Sequence, residues 1–176
     1  MQINFDNAIV SKLGLVGGLF DSSLNQIDSY SAGEDIPFGT PVEYDAATKT
    51  VKKLTATGKM LGIAMRTNYA VPGSVLNEDD ENPSPTTTIT SSAVSYPAGS
   101  QVSVMKTGRM FVNIATVTQA GYGNNIFFTV NTGFVVQTAA TLTGSYLVGM
   151  SLSDTAVVGN LIPIQVNAVV PVVKQS

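Results

Sequence analysis

The chain has 176 residues, nine Lys+Arg against twelve Asp+Glu, a net charge of −3, and neither Cys nor His. That excludes disulfides, thiolate chemistry, Cys- or His-ligated zinc and serine hydrolysis by a Ser-His-Asp triad. At this length one domain is expected, and the acidic balance supplies neither a basic face for nucleic acid nor a polybasic attraction to lipid.

Residues 1–30 are weakly patterned. Leu13, Leu15, Val16, Leu19 and Phe20 are apolar, but Gly14, Gly17 and Gly18 interrupt them. A helix would lose about 1 kcal/mol at each glycine relative to Ala, so an extended arm is expected instead. Such an arm buries its apolar residues on its own core or on a partner; a partner is favoured because the arm lies outside the repeated unit described below. Asp21-Ser22-Ser23 is a candidate cap for a short helical turn through Leu24 to Ile27. The run Leu13 to Phe20 is far shorter than the ~20 residues of a membrane span. No basic segment opens the chain, so synthesis and folding in a cytoplasm are expected.

From Ile36 onward the texture is β. Val42 and Tyr44 alternate with Glu43 and Asp45, and a turn at Asp45-Ala46-Ala47-Thr48 leads into Thr50–Leu54. Gly58 precedes a run from Met60 to Arg66. Val102 and Val104 open another strand, Thr107-Gly108 reads as a turn, and Met110–Ile114 follows. Ile126–Val130 and Phe134–Val136 flank Asn131-Thr132-Gly133, a hairpin loop. Tyr146–Met150 and Ile162–Val166 close the series. Short β-branched runs between Gly, Asn and Thr turns predict an all-β antiparallel sandwich or barrel.

The strands repeat. Residues 39–45 match 123–129, each followed by a turn and a returning strand at Thr50-Val51-Lys52 or Phe134-Val135-Val136. Glycine turns follow at Gly58 and Gly144. Met60–Met65 then aligns with Tyr146–Ser151, and residues 98–104 with 158–166. The expected organisation is an arm over 1–30 and one internally duplicated β-domain over 31–176, with halves of about 31–115 and 116–176. The halves differ mainly in a long connection, residues 67–97.

Candidate chemistry is sparse. Glu78-Asp79-Asp80-Glu81 offers oxygen ligands but lacks the alternating spacing and central Gly of a calcium loop, and reads as a solvated loop. No pair among the twelve carboxylates stands out for glycoside chemistry, and no Trp supplies a sugar platform. Gly121-Tyr122-Gly123 precedes a strand, so no helix N-terminus is available for phosphate. Arg66 and Arg109, the only arginines, are candidates for bidentate pairing with carboxylates of a neighbouring chain. No catalytic residue, metal or cofactor is expected, and not an enzyme.

Several runs resemble phage structural cement proteins: Gly17-Gly18-Leu19-Phe20-Asp21, then Ile27-Asp28-Ser29-Tyr30 at the place of the family's polar strand, and Ile36-Pro37-Phe38-Gly39-Thr40-Pro41-Val42 at that of its next strand. Residues 61–64, 98–104, 106–112 and 146–150 are similar to the family's remaining strands, while the acidic 67–97 connection departs from its pattern. The resemblance implies a capsid decoration protein, made in the host cytoplasm, that forms dimers or trimers. It would bind the outer surface of a head and bridge major capsid protein subunits, without nucleic acid or membrane. Leu13, Leu15, Val16, Leu19, Phe20, Arg66 and Arg109 are then the expected interface residues. The competing reading is a virion-displayed β-sandwich whose 67–97 loop attaches to host-surface glycans.

Overall fold

The computed structural model describes residues 16–21, 24–66, 95–155, 161–168 and 173–175. All regular structure among them is β: β1 (Gln26–Ser31), β2 (Ile36–Pro37), β3 (Pro41–Asp45), β4 (Thr50–Lys53), β5 (Met60–Ala64), β6 (Ser95–Tyr96), β7 (Gln101–Val117), β8 (Asn125–Thr129), β9 (Gly133–Gln137), β10 (Tyr146–Ser151) and β11 (Leu161–Asn167). The hairpin turns fall where the sequence predicts them. At the first, Asp45 Oδ1 accepts from Ala47 N at 3.0 Å, an Asx turn, and Lys49 takes a positive φ of 57°.

The strands close two rings. β4 pairs β3, β3 pairs β5, β5 pairs the first part of β7, and β7 pairs β1. A parallel bridge, Ala32 to Val51, returns to β4. In the second ring β9 pairs β8, β8 pairs β10, β10 pairs β11, and β11 pairs the second part of β7. A parallel ladder from Ile114–Val117 to Phe134–Val136 returns to β9. The pairing order is the same, and the closing contact is parallel in both. Closure leaves few sheet edges open to foreign strands.

Register makes the duplication specific. In the first ring Val42 faces Gly62 and Glu43 faces Met60, skipping Leu61. In the second, Ile126 faces Gly149 and Phe127 faces Leu147, skipping Val148. The same bulge thus sits in the same strand, and it superposes Gly62 on Gly149. The next ladders agree, with Ile63 facing Met105 and Met150 facing Gln165. The sequence match of Met60 with Tyr146 is therefore one residue out of register. A bulge shifts the in/out alternation by one residue, but Met60–Ala64 is buried throughout, so its sequence holds no alternation in which the break could show.

Three other expectations change. No helical turn forms over Leu24–Ile27; Gln26–Ser31 is β1, a full member of the first ring, as the resemblance implied for Ile27–Tyr30. Thr107-Gly108 is not a turn, because β7 runs through it as one 17-residue strand. Its partner changes there: Thr107 faces Gln26 of β1 and also Asn167 of β11. Finally, the sheet is antiparallel except for the β7–β9 ladder and the Ala32–Val51 bridge.

Each ring has its own interior. Val42, Val51, Leu61, Ala64, Val102 and Val104 fill the first, with Ile36, Phe38 and Tyr96 from the β2–β6 region packed among them. Ile126, Phe134, Val148, Ile162 and Ile164 stand at the matching places of the second. The second core does not stop at its own wall. Leu54, Met60, Ile63 and Met65 of the first ring are buried within it. Tyr146, fully buried, places its hydroxyl 2.9 Å from Thr55 O and 3.0 Å from Gly58 O in the turn between β4 and β5. Burial and the nearby Glu43 carboxylate push the Tyr146 phenol up from its ordinary value.

Candidate contact surface

The segment from Val16 to Asp21 lies along β7. Gly17 N donates to Phe111 O at 2.9 Å, Phe111 N donates to Gly18 O at 2.9 Å, and Phe20 N donates to Arg109 O at 2.9 Å. Gly17 also accepts from Arg66 N at 2.7 Å. A Cβ on Gly17 would lie 2.8 Å from Gly39 N and 3.0 Å from Arg66 N, and its φ is +74°; the crossing requires glycine. The Gly17-Gly18 pair is thus what lets the segment reach both Phe111 and Arg66.

Five of the expected interface residues meet here. Leu19 bridges Met110 and is 43% exposed; Phe20 is 36% exposed with its ring edge-on to Phe111 at 5.3 Å. The Arg66 guanidinium stands over the Phe38 ring, 5.4 Å from its centroid. Arg109 Nη1 donates to Asp21 Oδ2 at 2.8 Å and its Nε donates to Gln165 Oε1 at 3.2 Å. Val16 is half-buried at the start of the segment. Leu13 and Leu15 lie outside the described residues. The carboxylate that Arg109 meets is therefore one of its own chain. Residues 16–21 pack on their own sheet, yet they leave Leu19 and Phe20 partly open beside two arginines.

Sequence reasoning overlooked the apolar residues next to this segment. Leu24 is 96% exposed and Ile27 is 42% exposed. Their assignment to a helical turn hid them; the strand pattern of β1 would have shown Ile27 on the outward face.

Beside Ile27, Lys106 Nζ forms an ion pair with Asp28 Oδ2, and the same ammonium lies 5.8 Å from the Tyr30 ring centroid. Tyr30 OH also donates to Asp28 Oδ2 at 3.2 Å. The hydrogen bond from Lys106 holds the Asp28 carboxyl below its ordinary value of 3.8. A carboxyl lowered on folding stabilises the fold above its unfolded pKa and loses that effect as pH falls through the folded pKa. Asp28→Asn is therefore expected to lower the unfolding midpoint at pH 7. The gap to the unsubstituted protein should close as the pH falls below 3.8, as urea titrations at several pH values will read.

The described residues form surface grooves that include the following two. One, of about 470 Å³, is lined by Thr107, Asn125, Leu147, Gly149, Met150, Gln165 and Asn167. The other, of about 320 Å³, is lined by Ser29, Tyr30, Ser31, Gly99, Ser100 and Gln101. Neither lining contains a carboxylate. Among the described residues no three Asp or Glu side chains gather to hold a metal ion, and the 78–81 acidic run lies outside them. The greater part of the 67–97 connection, residues 67–94, is likewise outside the described residues.

Comparison with known proteins places this architecture. A chain of a solved structure described as the capsid of Myoviridae phage XM1 is similar in fold, with a TM-score of 0.57 and 16% identity over 96% of this chain and 100% of that one. The head fiber gp8.5 N base of bacteriophage phi29 is more distant, with a TM-score of 0.41 and 10% identity over 87% of this chain and 99% of that one. No curated protein sequence matches significantly. The sequence model of the structural cement proteins (E217 gp24/Pam3 gp6) matches residues 6–167, nearly the whole duplicated fold and the glycine-rich segment that precedes it. The chain therefore belongs to the phage structural cement protein family.

Proposed function

We propose that this chain is a capsid decoration protein that binds the outer surface of a phage head and bridges neighbouring major capsid protein subunits. Membership of the structural cement family is the observation that carries this reading. The similar fold of a chain from the XM1 capsid agrees with it. The surface formed by Leu19, Phe20, Arg66 and Arg109 is the natural contact, because it joins open apolar area to two guanidinium groups, Arg109 on β7 and Arg66 just past the end of β5. The residues that precede β1 act as the contact arm.

The mechanism is adhesive. Each contact buries about 800 Å² per partner when it has the size of an ordinary specific interface. A molecule that touches more than one shell subunit gains effective concentration for its second contact, so modest single contacts add up to a stable coat. Nothing in this action requires a reactive group.

Deleting residues 1–20 is expected to abolish occupancy on purified heads, read by sedimentation of heads with added protein. The paired substitutions Leu19→Asp and Arg66→Glu, which spare the hydrogen bonds of Gly17, should lower occupancy at least tenfold while the circular dichroism spectrum is retained. Full occupancy by both variants would overturn the assignment.

A further inference from the structure

The two rings can be compared position by position where the glycine-rich segment docks. In the first ring Gly39 N donates to Ala64 O at 2.7 Å, Ala64 N to Thr40 O at 2.9 Å, and Met65 N to Ser103 O at 2.8 Å. In the second, Gly123 N donates to Ser151 O at 2.8 Å, Ser151 N to Asn124 O at 2.8 Å, and Leu152 N to Pro163 O at 3.0 Å. Gly39 and Gly123 share a left-handed backbone, with φ of +74° and +80°. These matching bonds superpose Phe38 on Tyr122 and Arg66 on Ser153.

What surrounds the two frames differs. In the first, Phe38 is 5% exposed, its ring edge-on to Tyr96 at 4.9 Å and beneath the Arg66 guanidinium. A Cβ on Gly39 would run into Val16 Cγ1, and Gly17 O accepts from Arg66 N. In the second, Tyr122 is 64% exposed, a Cβ on Gly123 would meet nothing within 4 Å, and Ser153 N donates to the Ser151 hydroxyl at 3.2 Å. The same frame thus forms with a serine where the first ring has an arginine on an aromatic ring. The Arg66–Phe38 stack is an addition to the fold and not a requirement of it.

We propose that Arg66 is the specificity-determining residue of the contact surface. Its guanidinium takes a carboxylate of the shell partner in a bidentate pair, while Arg109 holds the glycine-rich segment and does not reach the partner. The proposal rests on the head-binding reading and names the chemistry of its partner: an acidic side chain bordered by apolar ones.

Three observations separate the two arginines. First, the charge of Arg109 is already met within the chain, by Asp21 on Nη1, and Gln165 accepts from its Nε. Arg66 makes no ion pair among the described residues. Second, Arg66 is held ready. Its backbone N is bonded to Gly17 O, the adjacent Met65 O accepts from the buried Tyr96 hydroxyl at 2.7 Å, and its guanidinium rests on a ring that Tyr96 backs. A planar fork fixed in this way loses less freedom when it binds. Third, the segment bonded to Arg66 carries Leu19 and Phe20, both partly open. A charge pair bordered by apolar contact is sheltered from water and is worth more than one on an open surface.

The test substitutes the side chain and keeps the backbone bond to Gly17. Arg66→Gln in the full chain should weaken binding to purified heads about tenfold or more at low salt, and should flatten the loss of binding on adding salt, with the thermal midpoint kept. Arg66→Lys restores the charge without the fork and should recover only part of the affinity. Lys49→Gln, an equal change of charge at an exposed turn, should leave binding as it is. A second reading dispenses with heads: titrating the full chain with N-acetyl-aspartate should shift the Arg66 Nε–H resonance and leave that of Arg109 in place. Full binding by Arg66→Gln, full recovery by Arg66→Lys, an equal loss in Lys49→Gln, or a titration that moves Arg109 alone would each overturn this proposal while the head-binding reading stands. Heads left bare by the unsubstituted chain would overturn both.

Discussion

Gly62→Ala and Gly149→Ala are each expected to destabilise the protein by about 3 kcal/mol or more, and by similar amounts. A Cβ on Gly62 would run into Met105 O, and one on Gly149 into Gln165 O. In both places the obstacle is the backbone of the neighbouring strand, which no rotamer change can move aside. The bulge in β5 and in β10 draws the strands into this approach. Gly99→Ala is the control. Its Cβ would meet nothing within 4 Å, so only the +80° backbone strain remains, about 1–2 kcal/mol. Urea unfolding of the three variants orders them directly. If either bulge variant is as stable as Gly99→Ala, the superposition of the two rings is wrong.

Ile63→Ala is the second large effect. Ile63 sits on the outer wall of the first ring, where an isolated barrel would face water, yet it has no exposed surface. Its loss removes apolar burial and leaves a cavity in the core shared by the rings, a cost of about 2–5 kcal/mol. For a chain of this size each kcal/mol lowers the thermal midpoint by about 2–4 °C, so a fall of roughly 4–20 °C is expected. A single, still cooperative transition should accompany it. A split into two transitions would mean that the rings fold as separate units.

What the sequence exposed and what it hid follow from the same chemistry. β3, β8 and β10 were legible because apolar and polar residues alternate or cluster between turn residues, as at Val42–Tyr44 and Ile126–Phe128. The repeat was legible because those strands recur in order. β1 was not legible from its residues, since Gln26–Ser31 is mostly polar. Where the second ring has Met110, the first has Asp28, held by Lys106. An ion pair in place of an apolar contact erases the strand signature, and only the likeness to known cement proteins marked it. Gly108 misled in the opposite sense, since glycine punctuates turns far more often than it lets one strand change partners. Val16, Leu19, Phe20, Arg66 and Arg109, offered as contact residues, lie together around the glycine-rich segment, and Arg109, a candidate for pairing with a neighbouring chain, meets Asp21 of its own. Two groups 88 positions apart give no local sign of their pairing.

The unbroken run of β7 has a mechanical corollary. Tension that would draw the two rings apart passes along a covalent thread anchored by six paired residues to β1 at one end and seven to β11 at the other. Separation then calls for many hydrogen bonds to shear at once, where a peeling joint would release them singly. In the proposed role, a coat built from such links would yield late and abruptly under pressure from within, and stay stiff until it did.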